Sequence, residues 1–289
     1  MLYLKLSTNQ NYTAYQALNL NDEDIVPLRL PGFSAEEIEA FSAESFSCVT
    51  TRVLSLFFGK IINKELIDNY LEIHPLSLDG LDRKTLLIKL RSERDQNIID
   101  DLFQNITSIS GKAGSWATIA IRISLLFGIY ADLKRCGISQ FDIAVYSNEL
   151  RDLLPVYYAR KMGLPINKII CGCIHEDGLW GLLREGKVMP KLNGRLASLL
   201  YFFNSKECVR YLESCQSNST YNLTPEQFTE LNDQIFTAVV SVERSKELFG
   251  NAAKTFGKNI SPIAAVSYGA LQDYRSVTGE NDITLILID

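Results

Sequence analysis

The most compact group of side chains that could do chemistry in this sequence is Cys171-Gly-Cys173, followed by His175 and Glu176. Two residues one apart on a strand point to the same face of a sheet, so the two thiols could act together. Zinc sites ordinarily use four ligands with cysteines two to four residues apart, and the chain has only 2 histidines. Packed thiols in the core are the first interpretation, a reactive thiol with His175 the second, and a metal site the third. We therefore expect no bound metal.

Two lysines could carry other chemistry. Lys112, Gly114 and Ser115 superficially resemble a phosphate loop, but the Gly-x4-Gly-Lys-Ser/Thr pattern is absent. This segment is therefore interpreted either as a simple turn or as a weak anion-binding site. Lys89 lies in a predicted strand and could form a Schiff base if burial lowered its pKa, whereas an outward-facing position on the strand is the alternative.

The composition is typical of a globular protein and argues against several functions. The 289 residues are 46% hydrophobic and 22% charged, enough for one large or two modest domains. A net charge of -5, with basic and acidic residues interleaved, argues against nucleic-acid binding. The first residues lack the basic region of a signal peptide, and no uninterrupted apolar run reaches the roughly 18 residues of a spanning helix. We expect a soluble, cytoplasmic protein without membrane partners, whose 6 cysteines are thiols.

The hydrophobic pattern predicts an α/β fold, with a helical N-terminal region followed by a parallel sheet flanked by helices. Ser34 could cap a helix with Glu37 at the capping-box spacing, and Gly59 could end the next one. A strand, a helix and a strand between residues 141 and 173 form a βαβ unit, which builds a parallel sheet. Trp180 is expected on a loop. Helices are predicted over residues 53–58, 65–71, 97–103, 116–133, 153–162, 196–203, 225–246 and 264–275, and strands over residues 85–90, 141–146, 168–173 and 283–288.

One segment carries a resemblance to a known family. Asp152-Leu-Leu-Pro-Val-Tyr-Tyr-Ala-Arg-Lys-Met-Gly-Leu-Pro165 closely resembles the threonine synthase segment in which a helix ends in Tyr-Tyr-Ala-Lys-Lys-Met-Gly-Leu-Pro. Leu30-Pro-Gly-Phe-Ser34, Trp116-Ala117 and the segment 261–270 resemble further elements in family order, so the resemblance covers most of the chain. It implies the large-domain fold of fold-type II pyridoxal-phosphate (PLP) enzymes. The threonine synthases that the segment resembles convert O-phosphohomoserine to threonine and release phosphate.

The same resemblance implies that the PLP-lysine region is missing. The strand over residues 85–90 resembles the family strand that precedes Gly-Pro-Thr…Phe-Lys-Asp, whose lysine forms the Schiff base to PLP, and no such motif follows it here. The family's Ser-Gly-Asp-Thr-Gly loop is absent as well. A deletion of most of the PLP domain near residues 90–96 accounts for both. The implied division is an N-terminal domain over residues 1–84 and an α/β domain over residues 85–289.

The family's phosphate-binding turn is also altered. Its Gly-Asn-Phe-Gly-Asp sequence, preceded here by Ser147, corresponds to Asn148, Glu149, Leu150, Arg151 and Asp152. Glycines let backbone amides approach a phosphate at a helix N-terminus, and both are replaced. Glu149 adds a negative charge where a dianion would lie. The sequence stops at Asp289, where the resemblance would place a Thr-Ala-His-Pro-type segment, and Ile263 replaces the family's His. We expect PLP to be lost.

These observations lead to one leading hypothesis and two alternatives. The leading hypothesis is a threonine-synthase-like pseudoenzyme that acts through protein association or ligand sensing. It would form a homo-oligomer or bind a protein partner, because losing a domain exposes apolar surface. The first alternative is an enzyme with new, PLP-independent chemistry that uses Cys171, Cys173 or His175. The second, less favoured, is residual phosphate-eliminating activity of the threonine synthase type.

Overall fold

The computed structural model describes residues 1–18, 20, 22–59, 62, 64–73, 77–89, 102–103, 115–147, 150–176, 178–189 and 191–288. Its strands are β1 Leu2–Lys5, β2 Gln10–Thr13, β3 Ile25–Pro27, β4 Ser77–Gly80, β5 Thr85–Lys89, β6 Phe141–Tyr146, β7 Ile166–Cys173, β8 Lys187–Val188, β9 Tyr221–Asn222, β10 Ile235–Val239 and β11 Thr284–Ile288. Its α-helices are α1 Ala14–Leu18, α2 Ala35–Ala40, α3 Phe46–Phe58, α4 Lys64–Ile73, α5 Ser115–Arg135, α6 Leu153–Lys161, α7 Gly178–Glu185, α8 Gly194–Phe203, α9 Ser205–Gln216, α10 Pro225–Gln234, α11 Val242–Phe256 and α12 Pro262–Thr278.

A six-stranded sheet in the order β10-β7-β6-β11-β5-β4 organises these elements. All its neighbouring strands run parallel except β4 and β5, which are antiparallel. A small antiparallel sheet, β2-β1-β3, lies in the N-terminal region. The predicted α/β fold with a mostly parallel sheet is therefore confirmed. The predicted division between residues 84 and 85 stays a prediction.

Local signals in the sequence explain where several helices begin and end. At α2 the Glu37 N–H donates to Ser34 Oγ (3.2 Å) and the Ser34 N–H donates to Glu37 Oε2 (2.9 Å), which completes the capping box. Helix α3 ends at Gly59, whose φ of 62° is a conformation that glycine adopts without strain. Both predictions are confirmed.

The two faces of the sheet are covered by different helices. Odd-numbered residues of β6 and β7, such as Ile143 and Ile169, belong to the large cluster that also contains α3, α5 and α6. Even-numbered neighbours such as Ile170 pack in a second cluster with α12. The close approach of α12 requires glycine in β7, since a Cβ on Gly172 would lie 2.8 Å from the Val266 carbonyl oxygen.

Helix α5 contains the most apolar long segment among the described residues. Residues 116–135 are long and apolar enough to cross a membrane by length and composition, but 83% of the apolar window is buried inside the molecule. Such burial is typical of the core helix of a globular protein. Arg122 interrupts the apolar run, which is why the sequence shows no unbroken spanning segment.

Two predictions of secondary structure are wrong. The helix predicted over residues 225–246 is divided into α10, the strand β10 and α11. Ile235, Phe236, Val239 and Val240 recur with helix-like spacing, which produced the error, yet they are β-branched or aromatic and pair in parallel with β7. Trp180 lies in α7 and not on a loop. Most of the helix predicted over residues 97–103 lies outside the described residues.

Candidate functional site

The candidate site lies where the carboxyl end of β6 passes into α6. Parallel α/β sheets bind their ligands in the crevice outside the carboxyl ends of the strands, so the turn between Tyr146 and Leu153 is in the expected place. Ser147, Leu150, Arg151 and Asp152 are described, whereas Asn148 and Glu149 lie outside the described residues.

This turn is held by hydrophobic packing at a position where its backbone is strained. Leu150 has a φ of 68°, in the left-handed region, and its side chain is only 3% exposed within the main core. That conformation costs a non-glycine residue about 1–2 kcal/mol, which burial of a leucine side chain offsets. The Ser147 N–H donates to the Gly172 carbonyl (2.7 Å), which fixes the start of the turn to β7.

The first turn of α6 has few backbone donors to offer an anion. The Leu154 N–H already donates to the Leu150 carbonyl (3.0 Å), and Pro155 has no N–H. Among the first three helical positions, at most the Leu153 N–H is left for a ligand. A phosphate site at a helix N-terminus depends on several such donors, so the described residues of this turn do not fit the phosphate of PLP.

A buried ion pair connects the start of α6 to α5. Arg122 of α5 donates through Nη1 to Asp152 Oδ1, and the two residues are 6% and 8% exposed. Asp152 makes no capping hydrogen bond to α6 and binds across to α5 instead. Arg122 also borders a small crevice with room for about 10 Å³, and its other lining residues are Leu125, Leu126, Ile129, Pro155 and Leu287. The Arg122 guanidinium therefore pairs with the Asp152 carboxylate next to an apolar surface.

In the cysteine cluster the two thiols are buried, whereas the histidine and the glutamate that follow them are exposed. Cys171 is fully buried in the main core, and the buried Cys173 donates its S–H to the Ala238 carbonyl (3.4 Å). His175 and Glu176 are exposed beyond the end of β7. No group of three His, Cys, Asp or Glu side chains within the described ranges is placed to hold a metal ion. A role for these residues in chemistry stays a prediction.

Neither of the two lysines predicted from the sequence has a described side chain. Lys112 and Gly114 lie outside the described residues, and Ser115 begins α5 with its side chain outside the description. Lys89 ends β5 with its backbone opposite Ser77 and Ile288, and its side chain is likewise not described. Burial lowers the pKa of Lys168, but its Nζ donates to the Asn232 and Asp233 carbonyls at the opposite, amino edge of the sheet.

Sequence reasoning missed a buried carboxyl at that amino edge. Asp142 of β6 is 1% exposed, and its Oδ1 accepts the Lys168 N–H (3.1 Å). Burial, and then the nearby charge of Asp282, raise the pKa of Asp142 to about 6. Asn167 Nδ2 donates to Asp282 Oδ2 (3.1 Å), so two carboxyl groups share this edge. The signal was present, because Asp142 is the one charged residue in the apolar strand Phe-Asp-Ile-Ala-Val-Tyr.

No family model matches the sequence, and comparison with curated proteins gives no match. Among solved structures, the PLP-bound threonine synthase from Brucella melitensis aligns with a TM-score of 0.78 and 12% identity over 99% of this chain and 88% of that chain. Threonine synthase from yeast aligns with a TM-score of 0.73 and 13% identity (99% and 86% covered), and that from Escherichia coli with 0.67 and 16% (99% and 87%).

The chain therefore has the α/β fold of threonine synthases, and the resemblance predicted from the sequence is confirmed at the level of the fold. Identities of 12–16% show the fold and not the activity.

Proposed function

We propose that this protein is a threonine-synthase-like pseudoenzyme that has lost PLP chemistry. It acts by binding, either to another protein chain or to a small molecule, and not by catalysis. The observation that carries the proposal is the turn before α6, where a buried leucine, a proline in the first helical turn and a closed ion pair stand in place of a phosphate cradle.

The cost of reopening this turn supports the proposal. A phosphate dianion at α6 would lie close to the Asp152 carboxylate, whose negative charge would repel it, and the positive charge of Arg122 is already paired with that carboxylate. Freeing the backbone would also move Leu150 out of the core, at a cost of about 1.5–3 kcal/mol. A site that binds its cofactor tightly does not require such rearrangement.

The arrangement of the cysteines gives little support to new chemistry in the remaining cleft. A nucleophilic cysteine needs a base within hydrogen-bond reach and access for the substrate. Cys171 is fully buried, Cys173 donates to a backbone carbonyl, and His175 is exposed to solvent. The pseudoenzyme hypothesis is therefore preferred to the cysteine enzyme.

The experiment that tests the proposal measures phosphate release. Purified protein is incubated with PLP and O-phosphohomoserine, and inorganic phosphate is followed against a reaction without protein. We expect no release, also from the matched variant Arg151→Gly, which restores one glycine of the family turn at an exposed position. Protein-dependent release from the unmodified chain would overturn the proposal.

The binding part is tested separately on the same preparation. Calorimetric titration with O-phosphohomoserine tests ligand sensing, and light scattering tests association. Saturable heat or a mass above 32.5 kDa supports a binding role. A monomer that gives no heat contradicts it.

A further inference from the structure

Helix α11 exposes an apolar stripe that runs along one edge of its buried face. Ser245 and Ala252 are buried, and Leu248 and Phe256 pack partly against the second core cluster. Next to this buried face, Val242 is 42% exposed, Phe249 is 48% exposed, and Ala253 is exposed as well. With Lys246 these residues follow each other at intervals of four, three and four, which is the seam spacing of paired helices.

The flank of this stripe has opposite charges at its two ends. Glu243 and Glu247 lie in the first half of α11 and Lys254 lies in the last turn, all exposed. Among the described residues no ion pair involves any of these three side chains. Gly250 lies between them, and the space where its Cβ would be is open, so another backbone could come close there.

We propose that α11 is a homodimer contact in which it packs antiparallel against α11 of a second copy. In this arrangement Val242 lies opposite Ala253 of the second copy, and Lys246 lies opposite Phe249, where its alkyl chain covers the ring and its ammonium group contacts the ring face. Glu243 then lies beside Lys254 of the second copy, twice in the symmetric pair. A parallel arrangement would instead place Glu243 beside Glu243 and Lys254 beside Lys254.

The size of the surface determines how strong the contact is. A helix of 15 residues is about 22 Å long, so one helix pair buries less than the roughly 1,200–2,000 Å² of a stable complex. The dimer is therefore weak and depends on concentration. The dimer deepens the binding part of the proposed function, because it names a second copy as the bound chain. The loss of PLP chemistry is tested separately, because α11 and the turn before α6 lie on opposite faces of the sheet.

Charge exchange tests the antiparallel contact. Analytical ultracentrifugation over the micromolar range is applied to the unmodified chain, to Glu243→Lys, to Lys254→Glu, and to an equimolar mixture of the two variants. We expect the unmodified chain to dimerise and each single variant to dimerise at least about tenfold more weakly. We expect the mixture to regain the affinity of the unmodified chain, since each variant then supplies the charge that the other lacks.

The result that overturns the proposal is equally specific. If the unmodified chain remains a monomer throughout the range, or if both variants dimerise as strongly as it does, α11 does not form this contact. A mixture no stronger than its components also rejects the antiparallel arrangement. Circular dichroism and urea denaturation of each variant show that the fold is retained, and Phe249→Ala provides a second variant that removes the seam without changing charge.

Discussion

The buried Asp142 allows a prediction whose size can be worked out from the structure. Its pKa is raised from 3.8 to about 6, mainly by burial. Because the folded pKa lies above the unfolded one, the contribution of this group to stability is fully present below about pH 4 and is lost as the pH rises through about 6. At roughly 1.36 kcal/mol per pKa unit, the ionised carboxylate costs the folded protein about 3 kcal/mol at pH 8.

The substitution Asp142→Asn removes this cost while it retains an oxygen that can accept the Lys168 N–H. The new amide can also donate towards Asp282, whose negative charge raises the pKa of Asp142. We expect the variant to exceed the unmodified protein in free energy of unfolding by up to about 3 kcal/mol at pH 8, with a smaller difference at pH 5.

The assay is urea denaturation of both proteins at pH 5 and pH 8, followed by circular dichroism. Glu176→Gln is the matched control, because it removes one exposed carboxylate and thus the same net charge. If the difference between Asp142→Asn and the unmodified protein is the same at both pH values, or if the variant is the less stable one at pH 8, the argument from burial is wrong.

Two further predictions concern buried groups. Arg122→Met removes the guanidinium that pairs with the buried Asp152 carboxylate and should cost about 3–5 kcal/mol in urea denaturation. The double variant Arg122→Met with Asp152→Leu should recover most of that loss, and an equal loss in both variants would contradict the role of the pair. Burial raises the pKa of the Cys208 thiol to about 12, so Cys208 should resist alkylation by iodoacetamide at pH 8 while the exposed Cys136 reacts. Mass spectrometry of the peptides measures both reactions. Alkylation of Cys208 at a rate similar to that of Cys136 in the folded protein would contradict the prediction.

The fold could be read from the sequence where local signals agreed with one another. Ser34 with Glu37 predicted the start of α2, and the strand Phe141–Tyr146, apolar except for Asp142, predicted the centre of a parallel sheet. The strand β10 could not be read in the same way. Its apolar residues have a spacing that also suits a helix, and only pairing with β7 decides between the two structures.

The location of the candidate site was taken from the sequence and stays a prediction, whereas its internal contacts could not be predicted. The replaced glycines pointed to the turn before α6. The pairing of Asp152 with Arg122 joins residues that are 30 positions apart, so it depends on how α5 packs against α6 and on no local pattern. The exposed stripe of α11 could not be predicted either, because the predicted helix ended at residue 246, whereas α11 runs from Val242 to Phe256.

Loss of PLP chemistry is the central claim, and one spectroscopic titration tests it most directly. Purified protein is titrated with PLP, the visible absorbance of a Schiff base is followed, and the mixture is reduced with borohydride and digested for mass spectrometry. We predict no saturable Schiff-base absorbance and no stoichiometric adduct on any lysine. A saturable band together with one phosphopyridoxyl adduct per chain, at Lys89, Lys112 or another single lysine, would contradict the account.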